Sequence, residues 1–178
     1  MEAERFQEAA RKYKDSIFRI ALNYCKNRTD ADDITQNVLI RCYQSKKAFE
    51  SEEHLRNWLI RVAINESKRW LSSPYHAFLA KTVDIDEVQL AQYNLEPEES
   101  RLYQALMGLP AKYRIVLYMH YYEDYPVAEL AKLLGTRVST VTTRLARGRE
   151  RLKQALERCE QDERTGTDSE DFCQNPRL

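Results

Sequence analysis

The sequence predicts an all-α protein of two small helical domains joined by a linker, and three observations carry that prediction. Helix breakers are scarce, with 4 glycines and 5 prolines in 178 residues against a background rich in Leu, Ala, Glu, Arg and Lys. Apolar residues recur at spacings of three and four, which gather them on one helical face. The periodic segments fall into two blocks, 1–73 and 98–160, separated by an acidic stretch over 74–97 and followed by a polar tail over 161–178.

The first block opens with Phe6, Ala10, Tyr13, Ile17, Ile20 and Tyr24, one amphipathic helix over residues 4–26. Asn27 to Thr29 make a turn. Asp30 is placed to cap a second helix, with Asp32 and Asp33 in a first turn where carboxylates suit the dipole. That helix turns Ile34, Val38, Leu39 and Cys42 inward and runs to about Tyr43. The segment SKKAFESEE, Ser45 to Glu53, has one aromatic among charges and reads as a loop. Leu55, Trp58, Leu59, Val62 and Ala63 then open a third helix that reaches about Leu71. Its polar side offers Arg56, Asn57, Arg61, Asn65, Lys68 and Arg69. Three apolar faces of this width close a small core.

Ser72, Ser73 and Pro74 end that unit. The following segment, to Ser100, sets Asp84, Asp86, Glu87, Glu96, Glu98 and Glu99 against Lys81, yet holds Phe78, Leu79, Val83, Ile85, Val88 and Leu90. It is expected to dock on something rather than act as a plain spacer. A second unit begins near Pro97, with Leu102, Leu106 and Leu109 inward. Pro110 starts the next helix, whose Ile115, Val116, Leu117 and Met119 lead to Tyr118, Tyr121, Tyr122 and Tyr125. These tyrosines are read as core and rim packing rather than a base-stacking platform. The tail after Arg158 is expected to be mobile.

The most telling stretch is Pro126 to Lys153. Val127, Leu130, Ala131 and Leu134 share a helical face, Gly135 can end that helix left-handed, and Thr136 or Ser139 can cap the next. Val141, Leu145 and Leu152 form the buried stripe of the second helix. Two helices around a glycine turn, with small Ala131 at their approach, predict a helix-turn-helix. From Lys132 to Lys153 the basic residues are Lys132, Arg137, Arg144, Arg147, Arg149, Arg151 and Lys153, against Glu150 alone. Ser139, Thr140, Thr142 and Thr143 at the start of that helix are short enough to touch phosphates or base edges. Duplex DNA is therefore the expected partner of this face.

Lys plus Arg equal Asp plus Glu at 28 each, so bulk charge selects no partner and only its segregation does. No apolar run has the length of a membrane span, and MEAERFQEAARKYK is too charged for a signal peptide. Cys25, Cys42, Cys159 and Cys173 lack metal or redox spacing and are expected as reduced thiols of a cytoplasmic protein. His54, His76 and His120 have no neighbouring catalytic or metal-ligating set, and no glycine-rich phosphate loop is present. Neither an enzyme nor a cofactor-binding or metal protein is expected.

Beyond these readings, the sequence resembles the extracytoplasmic-function group of bacterial RNA polymerase sigma factors. DADDITQNVLIRCYQ (Asp30 to Gln44), Phe49 and LRNWLIRVAIN (Leu55 to Asn65) are similar to the family's region 2. Leu106 to Leu152 is similar to its region 4, a helix-turn-helix; together the resemblance covers roughly residues 5–72 and 100–158. It implies that Asp32, Asp33 and Gln36 dock on RNA polymerase core. It also implies that Phe49 and Asn65, with Asn57, Arg61 and Arg69, handle the −10 element of promoter DNA. Arg137, Ser139, Thr140, Thr142, Thr143, Arg144 and Arg147 would face the −35 duplex, and an anti-sigma factor would be a further partner. Thr142–Thr143 stand where the family often has a basic residue and serine, Ser139–Thr140 where it often has Gly-Thr, and Glu52–Glu53 where smaller residues are common. Two other readings compete. A stand-alone helix-turn-helix regulator would leave the first block without a task, and a sigma-like decoy would not keep the Arg144/Arg147 face.

Overall fold

The computed structural model describes residues 3–73 and 97–165. Seven helices account for its regular structure there, and they form two compact units. The acidic linker and the last residues of the tail lie outside the described residues.

The first unit comprises α1 (Ala3–Cys25), α2 (Arg28–Gln44) and α3 (Glu52–Ser72), each packed on the other two. Ile17 and Ile20 of α1, Val38 of α2 and Leu59, Ala63 and Ile64 of α3 are wholly buried, each large aliphatic contributing about 1.5–3 kcal/mol through removal from water. The α1–α2 corner differs from expectation. Lys26 takes a left-handed φ of 58°, which turns the chain early, so Asn27 and not Asp30 caps α2, its side-chain oxygen accepting from the Asp30 N–H at 3.1 Å. Asp32 and Asp33 consequently sit in the second turn, where the dipole acts on them little. Leu39 is only half-buried.

Charged pairs clamp the three helices. Glu66, itself buried, receives Arg41 of α2 at 3.0 Å and Arg69 of its own helix at 2.9 Å. Ser51 caps α3 by accepting from the His54 N–H at 3.0 Å, and Glu52 in the first turn then pairs with Lys12 of α1 and accepts from the Tyr13 hydroxyl at 3.1 Å. The Lys12 hydrogen bond, followed by that of Tyr13, holds the Glu52 carboxyl below its ordinary range. A depressed carboxylate pKa adds stability above the unfolded value, about pH 4.3 for glutamate, and loses it as pH falls through the folded value. Glu52→Gln is therefore expected to cost a little stability at neutral pH and nothing in strong acid. Thermal melts of the two proteins across this range should converge as pH drops; parallel curves would remove the linkage.

The second unit comprises α4 (Pro97–Gly108), α5 (Ala111–Tyr121), α6 (Val127–Leu134) and α7 (Val138–Thr165). α7 continues past residue 160, where the sequence suggested a tail. On α4 the buried residues are Ala105 and Met107, with Leu106 half-buried and Leu102 40% exposed, so the inward face is rotated from the predicted one; Leu109 beyond the helix is buried. α5 is buried from Tyr113 to Met119, including the charged Arg114. The Arg114 guanidinium donates to the carbonyls of Met107 and Leu109 at 2.7 and 2.9 Å, satisfying acceptors that the end of α4 leaves open. Tyr118 and Tyr125 are core, whereas Tyr121 and Tyr122 are rim, 53% and 65% exposed. Gly148 is buried at the α5–α7 contact: a Cβ there would lie 3.2 Å from Leu117 Cδ1 and 3.5 Å from Tyr113 Cβ. The absent side chain lets α7 approach α5 closely.

Cys25 and Cys42 are buried thiols outside any disulfide, and burial pushes the Cys42 pKa up. Among the described residues no helix is long and apolar enough to cross a membrane.

Candidate nucleic-acid interface

The turn between α6 and α7 is fixed by its backbone. Gly135 has φ 65°; its N–H reaches the Lys132 carbonyl at 3.4 Å and the Thr136 N–H reaches Ala131 at 2.9 Å. This paired closure at a left-handed glycine ends one helix and aims the next. α7 begins at Val138, so the cap position falls to Arg137, between the two candidates Thr136 and Ser139; its carbonyl accepts from the N–H groups of Thr140 and Val141. Val141, Leu145 and Gly148 face inward at spacings of four and three, with Leu130 of α6 also fully buried. The other side of α7 carries the predicted set: Arg137, Ser139, Thr142, Thr143 and Arg147 are exposed, Thr140 and Arg144 half-exposed.

All seven residues around one cleft carry a polar or charged group. It has a volume of about 320 Å³ and is lined by Lys112 and Tyr113 of α5 and Ser139, Thr140, Thr143, Arg144 and Arg147 of α7. No carboxylate lines it. Lys112 and Tyr113 were not singled out by sequence; their signal is position, since Pro110 starts α5 and places both in its first turn. Burial raises the Tyr113 hydroxyl pKa, but Lys112, a hydrogen bond from Arg147 and the charge of Arg151 lower it by more, so the net direction is down. The Thr142 and Thr143 hydroxyls donate back to the Val138 and Ser139 carbonyls at 3.1 and 2.8 Å.

In the first unit, Asp33 and Gln36 stand exposed on α2, and Asp32 is half-buried with Arg28 at 4.0 Å. The same stripe continues through Ile40 and Tyr43, 51% and 53% exposed. Sequence reasoning missed both as part of this face, although Ile40 falls outside the inward spacing of Ile34, Val38 and Cys42 and so carried a signal. On α3, Asn57 is half-buried and Arg61, Asn65 and Arg69 are exposed along one side; Arg69 is also the partner of Glu66.

Phe49 departs from the expectation of a residue open to a base. It is 6% exposed, with its ring edge-on to Trp58 at 5.3 Å and to His54 at 5.6 Å, and Arg5 donates to its carbonyl at 2.9 Å. As an aromatic in a charged loop it gains more by burial beside Trp58 than by lying open. It anchors the loop and offers no open stacking face here. Trp58 packs against it, as its apolar register implied, with the Lys47 ammonium 6.0 Å from the indole.

Two helical units, the second presenting an arginine- and threonine-bearing helix after a fixed turn, have the build of a DNA-binding transcription protein. Residues 9–73 match the family described as Sigma-70 region 2, and residues 99–152 match Sigma-70, region 4. The chain is 30% identical over 158 residues to the ECF RNA polymerase sigma factor SigW of Bacillus subtilis, covering 81% of this chain and 84% of that one. It is 27% identical over 153 residues to SigM of Mycobacterium tuberculosis, covering 85% and 76%. A solved structure, the sigma factor RpoE with the anti-sigma factor NepR from Bartonella quintana, shares the fold at a TM-score of 0.63 and 19% identity, over 87% of this chain and 98% of that one. The chain belongs to the extracytoplasmic-function RNA polymerase sigma factors. Its function is in transcription initiation, with RNA polymerase core and promoter DNA as partners.

Proposed function

We propose a division of labour between the two units. α7 of the second unit reads the −35 duplex with Arg137, Ser139, Thr140, Thr142, Thr143, Arg144 and Arg147. In the first unit, α2 docks on polymerase core through Asp32, Asp33 and Gln36, and α3 with the preceding loop captures the −10 element through Asn57, Arg61, Asn65 and Arg69. Phe49 serves that loop as its anchor. The observation that carries this reading is the two-sidedness of α7, apolar and glycine-bearing inward, basic and hydroxyl-bearing outward. The chain performs no catalytic step, needs no cofactor and works in the cytoplasm. An anti-sigma factor holds it inactive, in keeping with the partner named for the Bartonella protein and with a zero net charge that gives the free chain no general pull toward DNA.

The test is run-off transcription with purified bacterial core polymerase on the promoter of the chain's own operon. A transcript that depends on both core and this chain supports the reading; specific duplex binding and regulation without core would overturn it. Within that assay Asp33 is the cleaner probe, because Asp32 is already beside Arg28. Asp33→Lys is expected to leave the melting temperature nearly unchanged, since an exposed charge is worth at most about 1 kcal/mol. Affinity for core should fall clearly, as charge reversal at a complementary surface does. Unchanged affinity for core would move the docking site elsewhere.

A further inference from the structure

We propose that Tyr113 is a positioning residue for promoter recognition: its hydroxyl holds Arg147 in a cationic notch that takes one DNA phosphate, which leaves base reading to Arg144. The inference rests on the proposed role of α7 and deepens it. Arg144 and Arg147 lie three apart on one face, and spacing alone gives both the same two options, a guanine edge or a phosphate. Their surroundings differ.

Gly148 lets α7 close on α5 until a Cβ there would stand 3.5 Å from Tyr113 Cβ. This brings the phenol against the helix, where Tyr113 and Arg147 line the same cleft and the nearby Arg147 guanidinium helps to lower the hydroxyl pKa. Two more cations flank the ring, Lys112 with its ammonium 5.1 Å and Arg151 with its guanidinium 5.4 Å from the centroid. Three positive side chains thus converge on one tyrosine. A guanine edge is neutral and needs a guanidinium free to align both donors. A phosphodiester is an acceptor-only anion that suits a tethered guanidinium with other cations nearby. A phenol oxygen that steadies Arg147 by accepting from it keeps its own proton to donate to such an acceptor.

Holoenzyme made with the full chain tests this on promoter fragments selected from a randomised −35 library, with affinity measured across salt. Arg147→Ala should reduce the salt slope by about one ion and weaken every fragment alike. Tyr113→Phe, which keeps the ring and drops the hydroxyl, should weaken every fragment by about fivefold, the scale of one lost hydrogen bond, with the wild-type melting temperature. The double variant should be no weaker than Arg147→Ala, because the tyrosine acts through the arginine. Rescue of part of the slope by Arg147→Lys would support a charge contact to phosphate. A change in base preference at one position in either single variant, or additive losses in the double, would overturn the proposal. Arg144→Ala separates the two failures. If it alters base preference while Tyr113→Phe and Arg147→Ala alter nothing, only the phosphate notch is wrong. If all three are silent, α7 is not the DNA surface and the notch falls with it.

Discussion

Replacing Arg114 with methionine is expected to unfold the second unit well before the first. Methionine nearly matches the volume, so the loss is chemical: the carbonyls of Met107 and Leu109 lose donors at 2.7 and 2.9 Å in a site where Arg114 is 1% exposed. Hydrogen bonds to a charged group contribute about 1.5–3 kcal/mol each, and an acceptor left buried and unpaired costs about as much as the bond. Relief of arginine desolvation offsets part of this, leaving a net cost of about 3 kcal/mol. The separate units make the result easy to read. Trp58 and Trp70 both lie in α3, so indole fluorescence follows the first unit, whereas far-ultraviolet circular dichroism follows both. In urea, the variant should lose part of its helical signal at low denaturant while tryptophan emission holds. Arg114→Lys, which keeps a donor, should recover some of the midpoint. A single unshifted transition for Arg114→Met would show that the carbonyls find other donors.

Arg144→Ala should produce the largest change in promoter choice. Arg144 is half-buried among Ser139, Thr140 and Thr143 at the cleft, which restrains its side chain more than a fully solvated arginine and suits a directed contact with a base. Loss of one such contact costs about 1–3 kcal/mol, or roughly tenfold to hundredfold in affinity for the preferred site. The penalty should disappear on fragments already substituted at the contacted base pair. Measuring holoenzyme affinity for every single substitution of the −35 hexamer, with both proteins, identifies that pair as the position where discrimination flattens. A uniform loss over all fragments would make Arg144 a phosphate contact instead.

Much of this architecture is legible in the sequence. Ile17, Ile20, Val38, Leu59 and Ala63 obey helical spacing strictly because they meet on one side of each helix, and periodicity reports only that. It fails where a side chain behaves against its type. Arg114 reads as surface in any hydropathy pattern, and only the open carbonyls of a neighbouring helix end explain its burial. Phe49 sits among charges and reads as loop, yet Trp58 is near enough to draw it inward. Asn27 and Asp30 are equally good caps on paper; the left-handed Lys26 between α1 and α2 decides between them. At the candidate site, the Arg144/Arg147 side of α7 followed from the alternation of apolar and basic residues. Tyr113 and Lys112 did not, because their nearness to α7 depends on the missing side chain of Gly148, a contact between helices far apart in sequence.

The back-bonded threonines at the start of α7 have a chemical corollary. With both hydroxyl protons turned onto the helix's own carbonyls, Thr142 and Thr143 present outward a methyl group and an oxygen lone pair. In the major groove that surface complements a thymine 5-methyl or the amino group of adenine or cytosine, and offers nothing to the two acceptors of guanine. These two positions therefore tilt the face toward pyrimidine methyls and exocyclic amines, and guanine must be served by an arginine.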